Sequence, residues 1–176
     1  MVVLPDLFQS LFLTGWGHVA AVWSEQALWE LSFPKPTAAL AFADLQTPGA
    51  GQLPDFADQC LADALKDELK IYFKGYRIPF TVPVDWRGYS AFQKAVLQHT
   101  AQIGYGQVES YGQVALAVGS PKAARAVGGA LHINRTPVVV PCHRVVGRNG
   151  SLTGFGGGVD LKKALLLLEN EQYVCQ

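Results

Sequence analysis

Apolar and polar positions follow two different rhythms along this chain. Residues 18–23 and 27–33 are short runs rich in aromatic and branched side chains, parted by Ser24, Glu25 and Gln26, and they predict a β-hairpin. Pro34 and Pro36 close that segment. Residues 38–45 predict a short helix and residues 47–51 a loop. Over residues 56–73 the spacing lengthens to helical steps: Phe56, Cys60, Leu61, Ala64, Leu65, Leu69 and Tyr72 recur every three or four residues, and Gly75 ends the run.

From residue 90 onward helical rhythm prevails. Residues 76–89, broken by Pro79, Pro83 and Gly88, read as an extended connector between two lobes, residues 1–86 and 87–176. Ser90 is placed to cap a helix reaching about Ile103, with Phe92, Val96, Leu97 and Ile103 inward. Ser110 caps a second helix, through Val114, Ala115 and Val118, that Gly119 ends. Ser120-Pro121 reads as a cap followed by a first-turn proline, opening a third helix to about Leu131. Two short helices joined by a tight turn make a helix-turn-helix. Residues 136–140 predict a buried strand, residues 148–150 a turn and residues 154–158 a glycine-rich loop. Asp160 caps a last helix with Leu161, Leu165 and Leu168 on its core side. Strands early and helices late give an α+β fold.

Charge sharpens the division. Residues 1–85 hold five basic and ten acidic side chains; residues 86–176 hold nine and four. Between 86 and 155 the single acid is Glu109, set against seven Lys and Arg. A basic half beside an acidic one suits a polyanion-binding face with a supporting lobe, or is a segregation of surface charge without function. No apolar run approaches the length that spans a bilayer, so no membrane association is expected. The first twelve residues carry Asp6 and no basic residue, unlike a secretory leader. Cys60, Cys142 and Cys175 are an odd set without CxxC spacing, which points away from a disulfide framework and towards the cytoplasm. The four histidines show no ligand spacing with each other or with the cysteines, and no metal or cofactor is expected.

The chemistry concentrates in residues 137–145, PVVVPCHRV. An apolar run stops at a proline, and a thiol follows with imidazole and guanidinium on the next two residues. Neighbouring positive or titratable groups favour thiolate, the nucleophilic form, at Cys142. Cys60 reads instead as a buried, inert cysteine. His143 by itself fits a core histidine as well as a catalytic one. Upstream, residues 123–130 (AARAVGGA) form a helix almost without bulk, with Arg125 its one long polar side chain. Such a helix either packs closely on a neighbour or presses into a minor groove while one side chain wedges between bases. A nucleophile near it suggests chemistry on a base taken out of the duplex.

PCHRV resembles the active-site signature of the O6-methylguanine-DNA methyltransferases. QVESYGQVA (107–115), KAARAVGGA (122–130), TGFGGG (153–158) and the segment 162–169 follow in that family's order and spacing. The resemblance covers the chain, most strongly from Phe92 to Glu169. It implies a ribonuclease-H-like amino-terminal lobe and a winged-helix-like carboxy-terminal one. It also implies a monomer acting on double-stranded DNA bearing alkylated bases, taking a methyl or larger group from O6-alkylguanine once and irreversibly; O4-alkylthymine is left open.

By resemblance, Cys142 is the acceptor, His143 takes its proton through a bridging water, and Glu169 orients the histidine. Tyr111 sits at the phosphate of the rotated nucleotide and gives a proton to the leaving guanine. Arg125 fills the gap in the stack, and Ala124 and Gly128 let the backbone approach. Asn134 ties the helix-turn-helix to the active-site strand. Phe155, Gly156, Val145 and Asn134 form the base pocket. The roles of Glu169 and Tyr111 rest on the resemblance alone. The chain departs from the pattern at Phe155, where tyrosine is common, at Gly104 and Ala164, and at Arg135, where proline is common and a phosphate contact becomes available. Three alternatives predict different outcomes: a non-enzymatic alkylated-DNA-binding relative would lack Cys142, a winged-helix regulator would carry several base-reading side chains, and a cysteine hydrolase would turn over.

Overall fold

The computed structural model describes residues 7–25, 27–47 and 56–173, with side chains from residue 59 in the long helix. Gln26, Phe56, Cys175 and residues 48–51 of the predicted loop, all singled out above, lie outside the residues or side chains described. The chain divides into two compact units, Met1–Gly88 and Tyr89–Gln176.

In the first unit β1 (Phe8–Thr14), β2 (Gly17–Ser24) and β3 (Ala27–Leu31) form an antiparallel sheet in that order. The hairpin of β2 and β3 is as the alternation predicts, with a register shift between Val22 and Trp23. β1 lay hidden in a segment whose apolar residues show no clean period. The central strand is buried from Val19 to Ser24, covered by α1 (Ala38–Ala43), while α2 (Phe56–Tyr72) packs on β1. Leu65, Leu69 and Tyr72 are the fully buried side of α2. Cys60 corrects an expectation: it is exposed, because it falls on the outer side of that helix.

The connector is not a spacer. Leu28 donates to Pro83 O and Asp85 donates to Leu28 O, at 2.8 and 2.9 Å, so this stretch pairs with the sheet edge. Burial alone would raise the Asp85 carboxyl, but hydrogen bonds from Arg87 and from Ser24 (2.6 Å) outweigh it and hold the pKa at about 2.

The second unit packs α3 (Ala91–Thr100), α4 (Tyr111–Ala117) and α5 (Ala124–His132) against one another. Ser90 and Ser110 both make capping boxes, with Gln93 and Gln113, as their spacing implies. Gly119 follows α4 at φ 72°, the left-handed setting that ends helices. Two starts differ from expectation. Ser120 closes a turn, accepting from Ala123 N–H at 2.8 Å, so α5 opens four residues later. The last helix, α6 (Val159–Glu169), begins after Gly158 rather than at Asp160. Gly158 takes φ 87° and ψ 156°, a region open only to glycine, which allows the abrupt entry. The buried face of α6 is Lys162, Leu165, Leu166 and Glu169, not the all-leucine side predicted. A short parallel pair, β4 (Glu109–Ser110) with β5 (Val145–Val146), joins the start of α4 to the chain leaving Cys142.

Candidate active site

After α5 the chain enters a buried loop, and here the predicted strand 136–140 is corrected. Val140 N–H donates back to Thr136 O at 2.8 Å, and Val138 sits at φ 72°. Pro137 and Pro141 have no N–H to give a sheet ladder, so an apolar run that reads as a strand folds into a turn. Asn134 organises that turn. Its Oδ1 accepts from Thr136 N–H at 3.1 Å, and its Nδ2 donates to Val140 O at 2.9 Å and to Cys142 Sγ at 3.2 Å. A helical turn, Cys142–Arg144, then aims three consecutive side chains in different directions.

His143 points into the protein and meets Glu169 of α6, Nε2 to Oε1, at 2.7 Å with both side chains fully buried. Arg144 forks onto the same carboxylate, Nε to Oε2 and Nη2 to Oε1, both at 2.9 Å, and spends Nη1 on Ile103 O. Gly106 N–H adds a further bond to Oε2 at 3.1 Å. Burial works to raise the Glu169 carboxyl, but the bonds from His143 and Arg144 overcome it and hold it well below the usual range. At His143 burial is the leading influence and lowers the pKa against the pull of Glu169, with Arg144 and Lys162 adding to the lowering, which keeps a neutral imidazole able to accept a proton.

The sequence pattern suggested His143 and Arg144 as the groups favouring thiolate, yet Arg144 is committed to Glu169. The cation that acts on Cys142 is Lys162 of α6. It is 1% exposed, its ammonium donating to Val145 O at 2.6 Å and Thr153 O at 3.3 Å. Burial lowers its pKa to about 8. At Cys142 burial pushes the thiol up, while Asn134 and Lys162 pull it back down.

Cys142 opens onto a cavity of about 600 Å³. Tyr111, Ala124, Arg125, Gly128, Phe155 and Gly156, all singled out in the sequence for one role or another, line it. Tyr111 leans over Gly128, and its hydroxyl donates a hydrogen bond to Thr153 O at 3.2 Å. Asn134 and Val145, also placed in the base pocket by the sequence reading, are not among its lining residues. Val145 is fully buried and Asn134 reaches the site through Cys142 Sγ. Arg135 stacks its guanidinium 4.4 Å from the centroid of the Tyr89 ring. Among the described residues no group of three His, Cys, Asp or Glu could hold a metal ion, and no helix is long and apolar enough to cross a membrane.

Residues 91–171 match the model of the 6-O-methylguanine DNA methyltransferase DNA-binding domain. The constitutive methylated-DNA–protein-cysteine methyltransferase of Bacillus subtilis is 46% identical over 114 residues, 64% of this chain and 68% of that protein. The chain belongs to the O6-methylguanine-DNA methyltransferase family. A methylated-DNA–protein-cysteine methyltransferase of Mycobacterium bovis is 47% identical over 106 residues, 60% of this chain, and the match spans 64% of that relative's length. Mycobacterium tuberculosis OGT, solved in complex with DNA, superposes with a TM-score of 0.75 at 33% identity, covering 93% of each chain.

Several site residues of this methyltransferase-family chain escaped the sequence reading. Lys162 was one, and a signal existed: 162, 166 and 169 fall on one helical face, so a lysine and a glutamate share the buried side of α6. Leu131, His132, Thr153 and Gly154 also line the cavity. Nothing in the local pattern of the methyltransferase domain distinguishes Leu131 and His132 from ordinary helix positions, whereas Thr153 and Gly154 belong to the TGFGGG segment already noted.

Proposed function

We propose that this protein repairs DNA by direct reversal, carrying the alkyl group of an O6-alkylguanine onto its own Cys142, once per molecule. The observation that carries the reading is the position of Cys142: its thiol opens into a base-sized cavity walled by the small-residue helix α5 and backed by the buried His143–Glu169 pair. The methylated-DNA–protein-cysteine methyltransferases among its relatives, and the mycobacterial structure in complex with DNA, support it.

Each residue then has a task. With the base rotated into the cavity, the proton of Cys142 passes by way of a water to His143, and Glu169 steadies the imidazolium that forms. Sulfur attacks the alkyl carbon in line, the carbon–O6 bond breaks, and its electron pair returns to the guanine. Tyr111, on the cavity wall, supplies a proton to that leaving base. The product is a thioether, a stable bond, so the acceptor is used up. Arg125 occupies the space the base has left, and Ala124 and Gly128 bring the helix backbone against the groove. Phe155 and Gly156 hold the base, and Asn134 sets the acceptor.

On this reading α3, α4, α5 and the β4–β5 pair act as a winged-helix-like DNA-binding domain, residues 87–176, with a ribonuclease-H-like supporting lobe, residues 1–86. The protein works as a monomer in the cytoplasm, on double-stranded DNA and without a cofactor. Intact-mass measurement after incubation with O6-methylguanine DNA tests it. One methyl should appear, on Cys142, and Cys142→Ala should gain none. Continued turnover, or a methyl elsewhere, would overturn the proposal.

A further inference from the structure

Tyr89 precedes α3 by two residues, and no motif includes it. Its hydroxyl donates to Ile133 O at 3.4 Å and accepts from Arg135 N–H at 3.0 Å. Those are the residues on either side of Asn134. Arg135 completes the arrangement, with Nε donating to the same hydroxyl at 3.2 Å and the guanidinium lying over the ring. Asn134 in turn spends its amide on the acceptor turn and on Cys142 Sγ.

We infer that Tyr89 is a positioning residue for alkyl transfer: by gripping the backbone on both sides of Asn134, it fixes the amide that donates to Cys142 Sγ. The inference rests on the reading of Cys142 as the acceptor.

The physical need is clear. α5 has ended at His132, so Asn134 lies on irregular backbone, where its own N–H donates to Leu131 O at 3.2 Å. A hydrogen bond weakens steeply with misalignment, and it matters most when its acceptor is charged, as thiolate is. A hydroxyl can donate and accept together, so one side chain can hold a carbonyl and an N–H that flank a third residue. The stacked guanidinium keeps the ring from swinging away. Arg135 thereby belongs to this brace.

Other groups also face the thiol. Lys162 approaches from α6; Tyr111 from α4, and Arg125 and His132 from α5, share its cavity; His143, with Glu169 and Arg144 behind it, lies alongside. Tyr89→Phe alters none of them and retains the ring. Any change in Cys142 titration therefore reports the hydroxyl.

The test follows alkylation of Cys142 in Tyr89→Phe against pH, using iodoacetamide and, separately, O6-benzylguanine. Peptide mass separates Cys142 from the exposed Cys60. The inflection should move up by roughly half to one pH unit, with the neutral-pH rate falling about threefold to tenfold, since one pKa unit is a factor of ten. In an Asn134→Ala background the same substitution should change nothing further, because the two residues act in one chain of contacts. A Tyr89→Phe profile that superimposes on the unaltered protein's would overturn the inference, as would an equal effect in both backgrounds. If the iodoacetamide profile shifts as expected while the unaltered protein takes no methyl from O6-methylguanine DNA, the brace stands and the repair function fails.

Discussion

Arg144 holds Glu169 in a two-point fork, with both bonds at 2.9 Å and the carboxylate withdrawn from solvent. The fork resolves a conflict in the site. A histidine bound to a buried lone carboxylate would be drawn towards the charged form, and a base already protonated accepts nothing. With the carboxylate balanced by guanidinium, the imidazole stays neutral until a proton arrives.

Removing that carboxylate should therefore act on stability and on rate. Glu169→Gln leaves Arg144 without its counter-charge and should cost about 3–5 kcal/mol, the scale for breaking a buried pair. The Glu169 pKa is depressed below its ordinary 4.5 in the folded protein. Its contribution is thus full above that value and is lost as pH falls through the lower, folded value. Urea melts should show a constant gap between the two proteins above about pH 5, narrowing in acid. His143→Ala should slow alkylation on the order of 10²-fold. Unchanged pH–rate profiles in both variants would remove the relay.

Lys162 should influence the reaction in a pH-dependent way. Its ammonium titrates at about 8, so its pull on the thiolate is present below that pH and fades above it. Lys162→Met should slow the reaction of Cys142 with a free alkylated base about threefold to tenfold at neutral pH, up to one pKa unit. The gap should close as pH rises past 8. A gap independent of pH would assign Lys162 to loop support through Val145 O and Thr153 O.

Arg125 is exposed at the cavity rim. Arg125→Ala should impair repair within duplex DNA far more than reaction with free O6-benzylguanine, which needs no flipping. Duplex affinity should fall with rising salt, and little sequence preference should appear, since one arginine cannot read several base edges. Equal losses on duplex and free base would show that Arg125 supports the fold.

Ser110 caps α4 and also begins beside β5. Ser110→Ala should cost about 1 kcal/mol in a urea melt, the usual worth of such a cap. A neutral result would mean that the helix start is held by the β4–β5 pairing alone.

What could be read before folding divides along physical lines. Local rules located the hairpin, the long helix and both serine caps, because each depends on residues a few positions apart. PCHRV and the bare helix marked Cys142 and Arg125 for the same reason. Rules of periodicity failed at 136–140, where two prolines outweigh an apolar run, and at Cys60, where a cysteine follows helix phase rather than its usual preference for burial. Lys162 and Tyr89 were missed because their meaning lies in partners distant along the chain: Val145 and Cys142 for the first, Ile133 and Arg135 for the second. No window of sequence contains both ends of those contacts.

The pairing of β4 with β5 is only two residues long, yet it decides which parts of the site move as one body. Glu109 and Ser110 lead straight into Tyr111, and Val145 and Val146 lead straight out of the Cys142 turn. Tyr111 and the acceptor turn are thus coupled through backbone rather than across soft side chains. The span between the Tyr111 phenol and the Cys142 thiol behaves as a fixed gauge. Residues 153–157 meet that frame through Thr153, whose carbonyl accepts from both Tyr111 and Lys162. On the proposed alkyl-transfer reading, Tyr111 and Cys142 therefore keep one spacing whatever alkyl group arrives.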